Sequence, residues 1–141
     1  MSAELDTAIG TALGYIRSLS GIKVAPTEPP EDMSNVWPFV VGYPQAGSFL
    51  EVPNGVRRGL HDIVIELHVS RNDLPTAYDL AIPYVDSIPN LLMSNAQDGW
   101  DGAISTFGEI TYEFGALDWG DIKTMGVRFI VHDVKIQTAV S

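Results

Sequence analysis

The chain contains no cysteine. That excludes disulfides, thiolate metal sites and cysteine nucleophiles, and leaves the compartment open. Bases are scarce: Lys+Arg number 8 against Asp+Glu 18, a formal net charge of −10. Tight, general nucleic-acid binding needs the opposite balance, because lysine and arginine neutralise phosphates. Long apolar runs are missing too. The longest, such as residues 36–41, fall far short of the roughly 20 residues that span a bilayer. The first residues, Met1 to Asp6, carry acids where a secretory signal would carry bases. These absences point to a soluble protein made in a cytoplasm, with no membrane partner.

What is present is enough for a core. The 141 residues are 45% hydrophobic and 9% aromatic, which suits a single domain over 1–141 and not a disordered acidic tail. Leu5, Ala8, Ile9, Ala12, Leu13, Ile16 and Leu19 recur at helical spacing and predict an amphipathic helix over residues 3–19. Gly10 and Gly14 inside it are either tolerated or form a strip for close backbone packing. Glu28-Pro29-Pro30-Glu31-Asp32 then reads as an extended linker.

Two short strands are predicted next, over 37–43 and 48–52, with Pro38 marking an edge position or a bulge. Asn54-Gly55 is a strong hairpin signal, since both residues accept positive φ. A long strand over 56–70 follows. Ile63, Ile65, Leu67 and Val69 face one way; Asp62, Glu66 and His68 face the other, wetter way, with Val64. Residues 73–94 read as helical, with Asp73 as N-cap and with Pro83 and Pro89 expected to split the segment into a longer and a shorter helix. A loop over 95–103 leads to strands 104–114 and 121–137, joined by a turn-rich stretch, 115–120. The expected fold is α+β: one domain, an N-terminal helix and a central kinked helix packed on a mainly antiparallel sheet of about five strands with a long hairpin.

Chemistry is hard to find in the pattern. On one regular strand His61 and His68 face opposite ways, and no third metal ligand is spaced to join His68 and His132. Each of the three is read as a surface-strand histidine. The stretch Asp98 to Gly102 lacks the alternate ligands and closing glutamate of a calcium loop. Neither a nucleophile elbow, a phosphate loop nor a dinucleotide fingerprint occurs. Glu109 and Glu113 read as solvated surface. No catalytic residue, metal ligand or cofactor is expected, and the chain is read as not an enzyme.

Charge is less evenly spread. Between Arg71 and Lys123 no lysine, arginine or histidine occurs, while nine acids do: Asp73, Asp79, Asp86, Asp98, Asp101, Glu109, Glu113, Asp118 and Asp121. Arg57 and Arg58 sit together just after the Asn-Gly turn. Plain solubility charge explains this, as does a surface polarised by sign that suits docking between copies.

Three stretches carry a family resemblance: the N-terminal helix running into Glu28-Pro29-Pro30; Leu74-Pro75 with Pro83, Asp86 and Pro89; and Phe114 to Gly120 followed by Gly126-Val127-Arg128-Phe129. With the order helix, strands, helix, strand hairpin, the chain resembles tail terminator (tail completion) proteins of long-tailed bacteriophages. The resemblance covers most of the chain and lies in proline, glycine and turn positions. It implies a structural virion protein, made in the host cytoplasm, that forms a homo-oligomeric, hexameric ring at the head-proximal end of the tail tube. Such a ring ends tube polymerisation, contacts the tail tube protein, and presents a docking surface to a head connector or neck protein. DNA passes through its channel without specific binding. On this reading Asn54, Gly55, Arg57 and Arg58 are expected at a subunit or tube interface. Asp73, Asp98, Asp101, Asp118 and Asp121 are expected at the channel or a seam. The alternatives are a head–tail connector, neck adaptor or tail tube subunit of the same virion, and then a small cytoplasmic enzyme or ligand-binding module.

Overall fold

The apolar stripe near the N-terminus folds as expected. In the computed structural model, which describes residues 4–22, 38–52, 55–70, 74–119 and 122–139, helix α1 spans Glu4–Arg17 and buries Ala8, Ile9, Ala12, Leu13 and Ile16. Glu4 and Asp6 in its first turn and Arg17 in its last oppose the helix dipole with charges of the favourable sign.

Among the described residues the sheet has four strands and not five. They are β1 (Phe39–Val52), β2 (Val56–Ser70), β3 (Ile110–Trp119) and β4 (Ile122–Ala139). Their order is β1-β2-β4-β3, with each neighbouring pair antiparallel. The two short strands predicted before the Asn-Gly turn are one continuous strand. Its register slips between Pro44 and Ala46, leaving Gln45 as the extra residue of a bulge. β1 is an edge strand, and a proline at its bulge bends the strand without ending it. The stretch 115–119, read as part of a turn, pairs residue by residue with β4 from Gly115↔Gly126 to Trp119↔Ile122. Cross-strand pairing overrides its turn-like composition.

The hairpin after β1 is present. Val52 pairs with Val56, leaving residues 53–55 as the connection, and Gly55 adopts φ 72°. Asn54 lies outside the described residues, as do Asp73 and Asp121. The central helical segment breaks once, at Ile82, into α2 (Leu74–Ala81) and α3 (Pro83–Ser94). Pro83 takes the first position of α3, where its missing N–H is not needed. Pro89 stays inside α3, so the second helix is the longer one, contrary to expectation. Among the described residues, no helix is long and apolar enough to cross a membrane.

The helices cover one face of the sheet. Ile63, Ile65, Leu67 and Val69 of β2 meet Val127, Phe129 and Val131 of β4 beneath α1, Ala77 and Ala81 of α2, and Ile88 and Leu92 of α3. Two steps of β2, His61 to Ile63, oppose three of β4, Val131 to Val134. The extra residue of this bulge sits where Asp133 takes φ 57°. The alternation of β4 thereby changes phase, so that Val134 and Ile136 join the same core as Val127, Phe129 and Val131.

The predicted loop 95–103 contains a left-handed turn. Gly99, Trp100, Asp101 and Gly102 have φ of 60°, 48°, 57° and 83°. Trp100 is fully buried there, and its indole N–H donates to the Leu92 carbonyl at 3.1 Å. Tertiary packing of the indole holds two non-glycine residues in a conformation that disfavours side chains.

Candidate functional site

The bulged ends of β1, β2 and β4 form a three-stranded arm beyond the helices. The sequence suggested a two-stranded hairpin, but β4 accompanies β2 out to Val56↔Ala139. The register puts Phe49, Gly59 and Ile136 side by side on the helix-bearing face, and Leu50, Arg58 and Gln137 on the other. Phe49 and Leu50 are 61% and 57% exposed, and Leu60 39%. Exposed apolar side chains clustered on an extension are a signature of contact surfaces. Bases border them: the Arg57 guanidinium carbon lies 4.7 Å from the centre of the Phe49 ring, a cation–π contact.

His61 sits at the root of the arm. Its ring meets Phe49 edge-on at 5.2 Å and 72°. A side chain on Gly47 would put its Cβ 2.6 Å from His61 Nδ1, and one on Gly59 would collide with Nε2. These two glycines let the imidazole lie flat on the strands. With Glu4, Leu5, Phe49, Arg57 and Ile136 it lines a cavity of about 230 Å³ between α1 and the arm. Burial, and then the nearby Arg57 charge, push the His61 pKa below its ordinary value. His61 and His68 do lie on opposite faces, as expected, but His61 is buried and not a surface histidine.

A furrow opens at the far end of α1. Leu19, Ser20, Asp79, Leu80, Pro83, Tyr84 and Ser87 line a concavity of about 440 Å³ beside the α2–α3 kink. Leu19 and Ser87 also line an adjoining concavity of about 380 Å³ with Asn90, Leu91 and Ser94. The Tyr84 hydroxyl donates to the Ser20 carbonyl at 2.7 Å and ties α3 to the end of α1.

The opposite face of the sheet holds a cluster that sequence reasoning missed. Glu66 and His68 were placed on a wetter face; both are buried. Tyr43 donates its hydroxyl to Glu66 Oε2 at 2.6 Å, Arg128 Nε donates to the same oxygen at 2.9 Å, and His68 Nε2 lies 2.8 Å from Oε1. His68 Nδ1 is 2.6 Å from the buried Thr124 hydroxyl, and Phe39 stacks on the imidazole at 4.8 Å. Burial raises the Glu66 pKa, but the bonds from His68, Tyr43 and Arg128 outweigh it, and the net direction is down. Burial and the bond to Glu66 push Tyr43 up to about 12. The hydroxyl, imidazole and carboxylate of Thr124, His68 and Glu66 run in the order of a nucleophile, base and orienter. Thr124 is fully buried, so its hydroxyl meets no substrate in this conformation, and the cluster serves to lock β1, β2 and β4 in register. The available signal was the strand itself: two polar residues at i and i+2 in a run whose other members, Ile63 to Val69, are nearly all apolar.

The other predicted residues do not form one site. Gly55 ends the hairpin connection, and Arg57 and Arg58 project from opposite faces of the arm. Asp98 and Asp101 lie exposed at the left-handed turn. Their charges, after burial, raise the pKa of Tyr15 on α1. Asp118 is exposed on β3 directly opposite Lys123. His132 does not meet His68; its Nε2 lies 2.8 Å from the Thr111 hydroxyl and its Nδ1 3.7 Å from Asp62 Oδ1. Among the described residues no group of three or more His, Asp or Glu is placed to hold a metal. Compared with protein-family models and with curated proteins, the chain finds no match in either.

Proposed function

We propose that the chain is a structural assembly subunit of a long-tailed phage virion, a tail terminator that caps the head-proximal end of the tail tube. The observation that carries this reading is the three-stranded arm, which exposes Phe49, Leu50 and Leu60 among Arg57, Arg58 and Lys135. Exposed apolar side chains on both faces of the arm, bordered by bases on an otherwise acidic protein, suit a protein contact. The resemblance in the helix, proline and turn positions supplies the role. Copies assemble into a homo-oligomeric ring, hexameric by that resemblance. The ring ends tube polymerisation, meets the tail tube protein on one side and a head connector or neck protein on the other, and lets DNA slide through.

The test is twofold. Mass measurement of the purified protein, alone and with tail tubes, is expected to give a closed oligomer. A strict monomer in both conditions sinks the reading. Electron microscopy of particles lacking the protein is expected to show overlong or variable tails. Full-length tails detached from heads would assign it to a connector role instead. Reversing both charges, Arg57→Glu with Arg58→Glu, is expected to weaken ring formation, and unchanged assembly removes the arm from the interface.

A further inference from the structure

We infer that the arm of one copy docks in the furrow beside the α2–α3 kink of a second copy, so that assembly runs head to tail. This rests on the assembly reading above and names the surface that the arm meets.

Three observations carry it. The first is charge. Among the described residues the helical layer holds Glu4, Asp6, Asp79, Asp86, Asp98 and Asp101 against one base, Arg17. The arm holds Arg57, Arg58 and Lys135 against one acid, Glu51, which pairs in register with Arg57. Asp79 lines the furrow itself. The second is chemistry. The furrow is walled by Leu19, Leu80 and Pro83, and Leu80 is half exposed. The arm offers Leu50 and Leu60 on the face that also bears Arg58. Apolar surface meets apolar surface, with a base set against an acid at the rim.

The third is position. Glu4 and Leu5 border the cavity at the root of the arm, whereas Leu19 and Ser20 border the furrow. Helix α1, Glu4–Arg17, separates them, a distance of about 20 Å at the rise of an α-helix. An arm projecting from one end of α1 does not fold back into a furrow at the other. The two patches are different and complementary, which makes the contact heterologous. Such contacts close into a ring when the rotation allows.

The contact is tested by the solution mass of the full chain and of two variants. The arm variant is Leu50→Glu with Arg58→Glu, and the furrow variant is Asp79→Lys with Leu80→Glu. All four positions are exposed or near the surface. Unchanged circular dichroism and melting temperature confirm folding, and single changes Arg58→Glu and Asp79→Lys replace any pair that fails this check. Each variant alone is expected to need at least tenfold more protein to assemble. Their equimolar mixture is expected to give dimers and nothing larger, since only one intact arm–furrow contact can form per pair. Arg58→Glu and Asp79→Lys placed in one chain are expected to recover part of the assembly that each loses alone. A furrow variant that assembles like the parent overturns the inference while leaving the assembly reading intact. A mixture that stays monomeric also overturns it, because the intact arm of one variant and the intact furrow of the other then fail to meet. A parent chain that never assembles overturns both.

Discussion

His68 Nε2 lies 2.8 Å from Glu66 Oε1, although the two residues are near neighbours on the same strand. The pleat puts positions i and i+2 on one face, where the two side chains meet. Glu66 then accepts from Tyr43 of β1 and Arg128 of β4. One carboxylate therefore bonds groups from three adjacent strands. Breaking such a set leaves a charge uncompensated in a place that water reaches poorly.

Acid is expected to unfold the protein through this carboxylate. Its folded pKa is below the ordinary value of 4.5. The unfolded chain therefore takes up the proton first, and the stabilisation is fully present above about pH 4.5 and lost as the pH falls through the folded pKa. Glu66→Gln is expected to cost about 1–3 kcal/mol at neutral pH and to flatten the acid limb. Chemical denaturation at a series of pH values checks this; an unchanged acid limb removes Glu66 as its cause.

His61 is expected to act over a higher range. Its folded pKa lies below the ordinary 6.5. Stability is thus complete above pH 6.5 and declines as the pH falls toward the folded value, because protonation adds a charge to a buried ring beside Arg57. His61→Phe is expected to remove that part of the decline. Titration of the ring by NMR, giving a pKa at or above the ordinary value, would contradict it.

Unequal effects are expected at neighbouring positions of the left-handed turn. Gly102 at φ 83° has open space around its missing side chain, so Gly102→Ala reads conformational cost alone, about 1–2 kcal/mol. Asp101 at φ 57° already bears that cost, so Asp101→Gly is expected to stay within about 0.5 kcal/mol of the parent. A right-handed helix at 99–102 would reverse the pattern, with the alanine gaining stability and the glycine losing it. Thermal melts of the two variants decide.

Deleting Asp133 is expected to be severe, and replacing it mild. Asp133→Gly keeps the bulge and suits φ 57°. Deletion closes the bulge and turns Val134 and Ile136 away from the core, a loss of about 3–6 kcal/mol for two apolar side chains. Equal effects of deletion and glycine substitution would show that the phase change does not matter.

Much of the fold was legible in short-range pattern. The stripe of α1, the alternation of Ile63, Ile65, Leu67 and Val69, and the Asn-Gly hairpin each depend on residues close in sequence. The misreadings share a physical cause. Pro44 and Gly115 look like breaks until a partner strand supplies their pairing. Pro83 and Pro89 are chemically alike, but only Pro83 falls where α3 begins. Glu66 and His68 look solvated until Tyr43, Thr124 and Arg128 arrive from strands distant in sequence.

The acidic excess shows the same division. Sequence alone determined the net charge of −10 and the base-free interval of nine acids, because charge is a property of composition. Tertiary structure decided which acids face bases. On the sheet, Asp118 stands opposite Lys123 and Glu113 opposite Arg128, since antiparallel pairing brings β4's bases beside β3's acids. Asp79, Asp86, Asp98 and Asp101 gain no cross-strand partner, because they lie in the helical layer and its turn, where no strand runs alongside. A run of like charge along the chain thus becomes a sheet edge whose acids stand opposite bases and an acidic helical surface, divided by which residues the fold sets side by side.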